Sequence, residues 1–270
     1  MIIQHNMLAE GAGRAFNINN REKAKYTEKL STGYKINRAA DNAAGLAISE
    51  EMRAQVRGMK QGSTNSRDGI SLFNTADGAM QEIDNMLHRM RELCVQATND
   101  TNTTGDRLAI DEEVQAIRNE IKRVSEQTEF NTKKILLGTV SEVFIQSGSN
   151  SFSGADFELP KVTLSSLAIV SINVKTRDKA SSYIDICAKA VEKMNDYRSS
   201  LGAYVNRLEH SQSVADNTAE NLQAAESKLR DTDMADAMVQ QSKTSILEQA
   251  ITSMLTQANN TPKGVLSLLQ

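Results

Sequence analysis

The sequence predicts a mainly α fold: a long antiparallel helical bundle, or coiled-coil rod, with a small β-hairpin region at one end. Three observations carry that expectation. Every seventh residue from Ala180 to Leu229 is small or apolar (Ala180, Cys187, Met194, Leu201, Leu208, Ala215, Leu222, Leu229). The offset row Ile184, Val191, Arg198, Val205, Gln212, Ala219 and Glu226 is apolar but interrupted, which is the 4-3 spacing of a helix burying one narrow stripe. A second run, Phe73, Ala76, Met80, Ile83, Leu87, Met90, Cys94 and Ala97, alternates the same spacings and supplies the long partner such a helix requires. Finally, there is no Trp, aromatics are 4% and only two prolines occur, a composition that suits narrow aliphatic seams better than a ring-filled globular core. A helix of about 50 residues would extend roughly 75 Å, so it needs neighbours of similar length.

Taken in order, residues 1–40 are weakly amphipathic. Ile3, Met7, Ala15, Ile18, Tyr26 and Leu30 are irregularly spread around Gly11 and Gly13, and a helix with so sparse an apolar face is marginal in water unless a partner orders it. From Ala43 the pattern tightens through Ile48, Met52, Val56 and Met59 into the Phe73–Ala97 run, with Gly58, Gly62 and Gly69 allowing close packing or slight bending. The polar stretch Thr98–Gly105 is a loop signal. Ile110, Val114, Ile117, Ile121, Val124 and Thr128 then mark a shorter antiparallel helix whose first turns hold Asp111, Glu112 and Glu113, where the helix dipole favours acids. From Phe130 to about Lys175, Val143/Ile145, Phe157/Leu159 and Val162/Leu164 alternate with polar residues around Ser147–Gly154, which predicts one or two β-hairpins. Asp178 is the expected N-cap of the long C-terminal helix. Residues 231–270 mirror the N-terminus, with a sparse stripe of Met234, Met238, Ile246, Ala250, Ile251, Leu255 and Ala258. Thr261-Pro262 is expected to end that helix before an apolar tip of Val265, Leu266, Leu268 and Leu269, and an exposed Leu-rich tip marks an interaction surface.

Several function classes are disfavoured. A net charge of -3 gives no electrostatic case for nucleic acid, and no run of 18 apolar residues predicts membrane insertion. The start, Met1-Ile2-Ile3-Gln4-His5-Asn6, lacks the basic patch and apolar core of a cleavable signal, which by itself reads as cytosolic. His5, His88 and His210 have no Cys or His at ligand spacing, so no metal site is expected, and Gly58–Gly69 has neither phosphate-cradling form. No catalytic constellation or cofactor site is indicated, and Cys94 and Cys187 read as buried inert thiols on helical stripes. His88, Arg89, Arg91, Glu92 and Leu93 share one helical segment; a solvated face around core residues is the ordinary reading there, with Leu93 beside the stripe and expected to be exposed.

Two blocks go beyond physical pattern. The first runs from Glu28 to Ile48 and contains Leu30-Ser31-Thr32-Gly33 and Asn37-Arg38-Ala39-Ala40-Asp41-Asn42-Ala43-Ala44-Gly45-Leu46. The second is Gln257-Ala258-Asn259-Asn260, then Pro262 and Val265-Leu266-Ser267-Leu268-Leu269. With Asp68-Gly69-Ile70-Ser71, Arg91-Glu92-Leu93, Arg123-Val124-Ser125 and Thr128-Glu129-Phe130-Asn131, the chain resembles the bacterial flagellins, in the short form that lacks variable outer domains.

That resemblance implies a structural subunit polymerising with itself into a helical filament for swimming motility. It implies paired terminal helices, the halves of a coiled-coil domain at 1–43 and 231–270, and a rod domain built from 44–177 and the helix 178–230. It implies an extracellular location, reached through the flagellar export apparatus with a secretion chaperone and without a cleaved signal, which replaces the cytosolic reading. Filament cap and hook-associated proteins are implied partners. The host Toll-like receptor that senses flagellin is a further one, with Arg89, Leu93 and Glu113 at the matching receptor-contact positions. The alternatives weighed are a hook–filament junction protein and a soluble helical scaffold module.

Overall fold

The computed structural model describes residues 6–268, with side chains to residue 264. It contains five helices: α1 (Met7–Thr32), α2 (Ala43–Thr98), α3 (Thr104–Gln127), α4 (Arg177–Arg230) and α5 (Met234–Leu268). Between α3 and α4 lie two short antiparallel hairpins, β1 (Glu129–Phe130) with β2 (Lys133–Lys134), and β3 (Glu142–Gln146) with β4 (Gly154–Glu158). The chain divides into two compact units, one of residues 1–54 with 221–270, the other of residues 55–220.

In the second unit, the predicted run on α2 is the spine of the core: Phe73, Ala76, Met80, Ile83, Leu87, Met90, Cys94 and Ala97 are all fully buried. Two helices lie antiparallel to it. Asp77 and Gln81 accept hydrogen bonds from Arg198 on α4 at 2.8 and 2.6 Å, and Arg177 reaches Asp100 at 2.8 Å. On the α3 side, Arg107 donates to the Ala97 carbonyl at 3.0 Å and Arg89 to Glu113 at 2.9 Å. Because α2 serves two neighbours, its buried stripe widens by a third row, and this row includes Leu93, only 1% exposed. The expectation that Leu93 faces solvent is therefore corrected: a helix packed on two sides buries more than a two-row seam.

The stretch 58–69 of α2 is a landing strip for the β3–β4 hairpin. A Cβ on Gly62 would run into the Ser147 carbonyl, and one on Gly58 would come within 2.6 Å of the Ser149 Cβ. Only glycine lets the hairpin backbone come this close. Ile145 and Phe157 turn inward, and Phe157 meets Phe73 (5.4 Å between centroids) and Tyr204 (5.2 Å). A scarce aromatic is thus taken from each of β4, α2 and α4 to fix one corner.

Other expectations are corrected in detail. Val162 and Leu164 do not form a strand. Side chains of the flanking helices hold this stretch instead: Gln115 donates to the Ile172 carbonyl (2.6 Å), Arg118 to Val170 (3.1 Å) and Lys193 to Ser166 (2.9 Å). The second hairpin is β1–β2, whose Asn131-Thr132 turn has both φ values positive, the backbone of a tight two-residue hairpin. α3 begins earlier than its apolar pattern suggests, because Thr103 and Asp106 form a capping box. Asp111 is then buried well inside the helix and accepts the Val174 N–H at 3.0 Å, so it serves as an anchor and not as a dipole partner. Asp178 lies in the first turn of α4 and not ahead of it.

The heptad row of α4 is buried from Ala180 to Ala215, but Leu222 is half-buried and Leu229 exposed; buried positions pass to Ala219, Glu226 and Arg230. A straight α-helix drifts by about 20° per heptad, so after several heptads a four-residue step brings the next row into the seam. Cys94 and Cys187 are free and buried. The neighbouring Cys94 thiol and burial push the Cys187 thiol up, which keeps it protonated.

Burial separates two effects of mutation on this surface. Leu93→Ala lowers stability by about 2–5 kcal/mol through the cavity it leaves, whereas Arg89→Ala, at an exposed site, leaves the unfolding midpoint nearly unchanged. Chemical denaturation of the two variants checks this; equal midpoints for both would contradict the packing.

Candidate functional site

The first unit is built on the antiparallel pair α1 and α5. α1 opens on Asn6, whose side-chain oxygen accepts the Ala9 N–H at 3.1 Å, and closes on Gly33 in the left-handed conformation (φ 76) that caps helices at low cost. The less exposed positions of α5 run Ala237, Gln241, Thr244, Glu248, Ile251, Leu255, Ala258, an unbroken 4-3 seam. Facing them on α1 are Ala9, Ala12, Phe16, Asn19, Lys23, Tyr26 and Leu30. The seam is mostly small and polar. Its rungs are hydrogen bonds: Asn19 Nδ2 to the Thr244 carbonyl (2.8 Å), Lys23 Nζ to Glu248 (2.6 Å) and Asn6 Nδ2 to the Ala258 carbonyl (2.8 Å).

The large apolar side chains lie on the outside. Met238 is 59% exposed, Ile246 and Met254 each 67%, and Val239 and Leu247 join them; on α1, Met7, Leu8 and Ile18 are exposed too. Met238, Val239, Ile246 and Leu247 line one shallow groove with Ser242 and Lys243. The predicted stripe therefore splits: Ile251, Leu255 and Ala258 lie in the seam, whereas Met234, Met238, Ile246 and Ala250 do not face α1. Small residues at Ala237, Thr244 and Ala258 allow close approach, and most of the bulky ones are left for another surface. Nor does Pro262 end α5, which continues to Leu268; the side chains of the apolar tip Val265–Leu269, like Ile3 and His5, lie outside the described residues.

Where α1 turns into α2 and α4 into α5, a compact charged cluster closes the first unit. Tyr34 pairs with Asp231 in a single antiparallel bridge, flanked by Lys35 N–H to the Arg230 carbonyl (2.6 Å) and Thr232 N–H to the Gly33 carbonyl (2.9 Å). The guanidinium groups of Arg53 and Arg230 both lie over the Tyr34 ring, 5.3 and 4.9 Å from its centroid. Arg53 also donates to the Tyr34 hydroxyl at 2.9 Å and stands 3.2 Å from Glu226, while Arg230 is bonded to Glu50. Asp41, accepting the Asn37 and Arg38 N–H groups, orders the turn before α2, and these backbone hydrogen bonds hold its carboxyl below the usual range. Sequence reading singled out none of these residues for a role. The available signal was Glu226, a charge interrupting an otherwise apolar row; Arg198, the other charged interruption, likewise proves to be a bridge.

Of the receptor-contact positions, Arg89 and Glu113 are joined on the surface with Glu92, and hydrogen bonds to Glu113 and then Glu92 push the Arg89 guanidinium further up. Leu93 lies beneath them in the core. His88 is 3.7 Å from Asp84, and His210 borders a groove between the β3–β4 turn and α4. Among the described residues no cluster of three or more His, Cys, Asp or Glu could hold a metal, and no helix is long and apolar enough to cross a membrane.

Comparison with known proteins matches this architecture from both ends. The bacterial flagellin N-terminal helical region matches residues 3–141 and the C-terminal helical region residues 184–269. The chain is 48% identical to a flagellin of Halalkalibacterium halodurans over 272 residues, with 100% of both chains covered. It is 40% identical to a flagellin of Bacillus subtilis and 39% identical to the flagellar filament 31.3 kDa core protein of Treponema maltophilum, again over 100% of each chain. Among solved structures, the crystal structure of Bacillus cereus flagellin superimposes with a TM-score of 0.51 at 33% identity, covering 60% of this chain and 94% of that one. The chain belongs to the bacterial flagellin family.

Proposed function

We propose that the protein is the structural subunit of a bacterial flagellar filament, polymerising with copies of itself to work mechanically in swimming. The observation that carries this reading is the outward apolar face of the terminal pair: Met238, Val239, Ile246, Leu247 and Met254 on α5, with Met7, Leu8 and Ile18 on α1. A monomer gains nothing by exposing so many large side chains on two adjacent helices. A second copy covering them head-to-tail makes a heterologous contact, which need not close and so builds an open helix. On this reading residues 1–43 and 231–270 are the coiled-coil part of the subunit, loosely folded in the monomer and ordered on assembly, and residues 44–230 are its rod part. The work is not enzymatic.

The same reading places the protein outside the cell, on the flagellum, after passage through the flagellar export apparatus with its secretion chaperone and without cleavage of a signal. Filament cap and hook-associated proteins are its neighbours at the ends of the polymer. Purified full-length chain, seeded or salted out, is expected to give long filaments by electron microscopy. The chain lacking 231–270 is expected to stay a soluble, helical monomer. Short caps or persistent monomers from the full chain would point instead to a junction protein or a scaffold module.

A second role rests on the exposed Arg89–Glu113 pair, which offers a rigid, charge-paired patch for the host Toll-like receptor that senses flagellin. Purified monomer is expected to activate a receptor reporter line, and Arg89→Ala to weaken the response without lowering monomer stability. No response at micromolar monomer would sink this role and leave the filament reading intact.

A further inference from the structure

Pro262 lies inside α5 and yet does not end it. Proline has no N–H, so the carbonyl four residues earlier, that of Ala258, loses its helical partner. Such an orphan ordinarily needs water or a side chain, and helices commonly break or kink at this point. Here the missing donor comes from the other terminus: Asn6 Nδ2 donates to the Ala258 carbonyl at 2.8 Å. The other end of the same amide is already in use, its Oδ1 accepting the Ala9 N–H at 3.1 Å as the N-cap of α1.

We infer that Asn6 is a register latch for the terminal helices, a positioning residue whose amide caps α1 and at the same time fills the vacancy that Pro262 creates in α5. The chemistry selects asparagine. Aspartate and serine cap helices equally well, but aspartate offers the carbonyl only another acceptor, and serine is too short to reach two helices. The vacancy supplies the specificity. Along an uninterrupted α5 every carbonyl before the last turn is satisfied, so a sliding α1 finds no preferred stop; proline marks one carbonyl as the place where a donor gains most. A seam that sets Ala, Thr, Gln and Asn between its few large side chains, Phe16, Tyr26, Leu30, Ile251 and Leu255, carries limited shape information of its own, so such a mark adds to the register that apolar packing sets. The Asn19–Thr244 bond, 13 residues along α1 and 14 back along α5, is in step with it.

The inference rests on the assembly reading, because the pair acts in the polymer. The test is a comparison of Asn6→Asp, Asn6→Ala, Pro262→Ala and the double variant Asn6→Ala/Pro262→Ala with wild type, read as critical concentration for seeded growth. Asn6→Asp and Asn6→Ala are both expected to raise it by roughly fivefold or more, the effect of one orphaned backbone carbonyl. Pro262→Ala restores the helical donor, so in that background Asn6→Ala is expected to cost less than half as much on a logarithmic scale. Wild-type behaviour of Asn6→Asp, or an equal penalty for Asn6→Ala in both backgrounds, would show that Asn6 is only a cap and overturn the latch. If Pro262→Ala does not assemble, Asn6→Asp against Asn6→Ala still decides, since a cap alone predicts that Asp behaves as wild type. Failure of wild type to polymerise would overturn the assembly reading and the latch that rests on it, whereas assembly of wild type together with wild-type behaviour of Asn6→Asp would overturn the latch alone.

Discussion

The stripe from Phe73 to Ala97 is the interaction on which the second unit depends. A helix can bury only the side chains it turns toward a neighbour, and α2 turns three adjacent rows toward α3 and α4 at once. That requirement explains where the rare large side chains go. Phe73, Phe157 and Tyr204 meet at one corner, and elsewhere the seam is Leu, Ile, Met and Ala. It also explains the glycines at 58–69. With only Gly62, Ser63, Ser66 and Gly69 buried there, the β3–β4 backbone itself comes down onto the helix and closes the core.

The terminal pair obeys the opposite rule. Its seam is mostly small and polar, with Phe16, Ile251 and Leu255 among its few large side chains, and hydrogen bonds from Asn6, Asn19 and Lys23 set its rungs. Little apolar area is removed from water by such a seam, while Ile246, Met254 and Met238 stay outside. An isolated pair of this kind is weak, and in the proposed filament other copies would supply what it lacks. On that proposal the chain divides its apolar residues between two tasks: folding the second unit, and offering a face to other copies.

Much of this was legible in the sequence because periodicity reports burial. The α2 run is buried at every expected position, the α4 row holds to Ala215, and the first hairpin appears where Val143, Ile145 and Phe157 alternate. What was not legible depended on partners that are distant in sequence. Leu93 is buried because α3 covers a side of α2 that a two-helix seam would leave open. Pro262 is tolerated because Asn6, at the far end of the chain, supplies the donor. Val162 and Leu164 alternate like a strand, but the stretch that follows is tied down by Gln115, Arg118 and Lys193, which take the Ile172, Val170 and Ser166 carbonyls. In α5 the expected stripe holds at Ile251, Leu255 and Ala258 but fails at Met234, Met238 and Ile246, which lie outside the seam. The cluster around Tyr34 was the least visible, since it joins two turns nearly two hundred positions apart, and only Glu226, a charge within an apolar row, hinted at it.

In the proposed filament α1 and α5 draw their stability from other copies, whereas the core of residues 55–220 is complete within one chain. Amide hydrogen exchange of the full-length protein, compared between monomer and filament, separates the two. Rapid exchange is expected along α1 and α5 in the monomer, slow exchange of the same helices in the filament, and protection of Phe73–Ala97 and Met194–Leu208 in both. Equal, strong protection of α1 and α5 in the monomer would contradict that division.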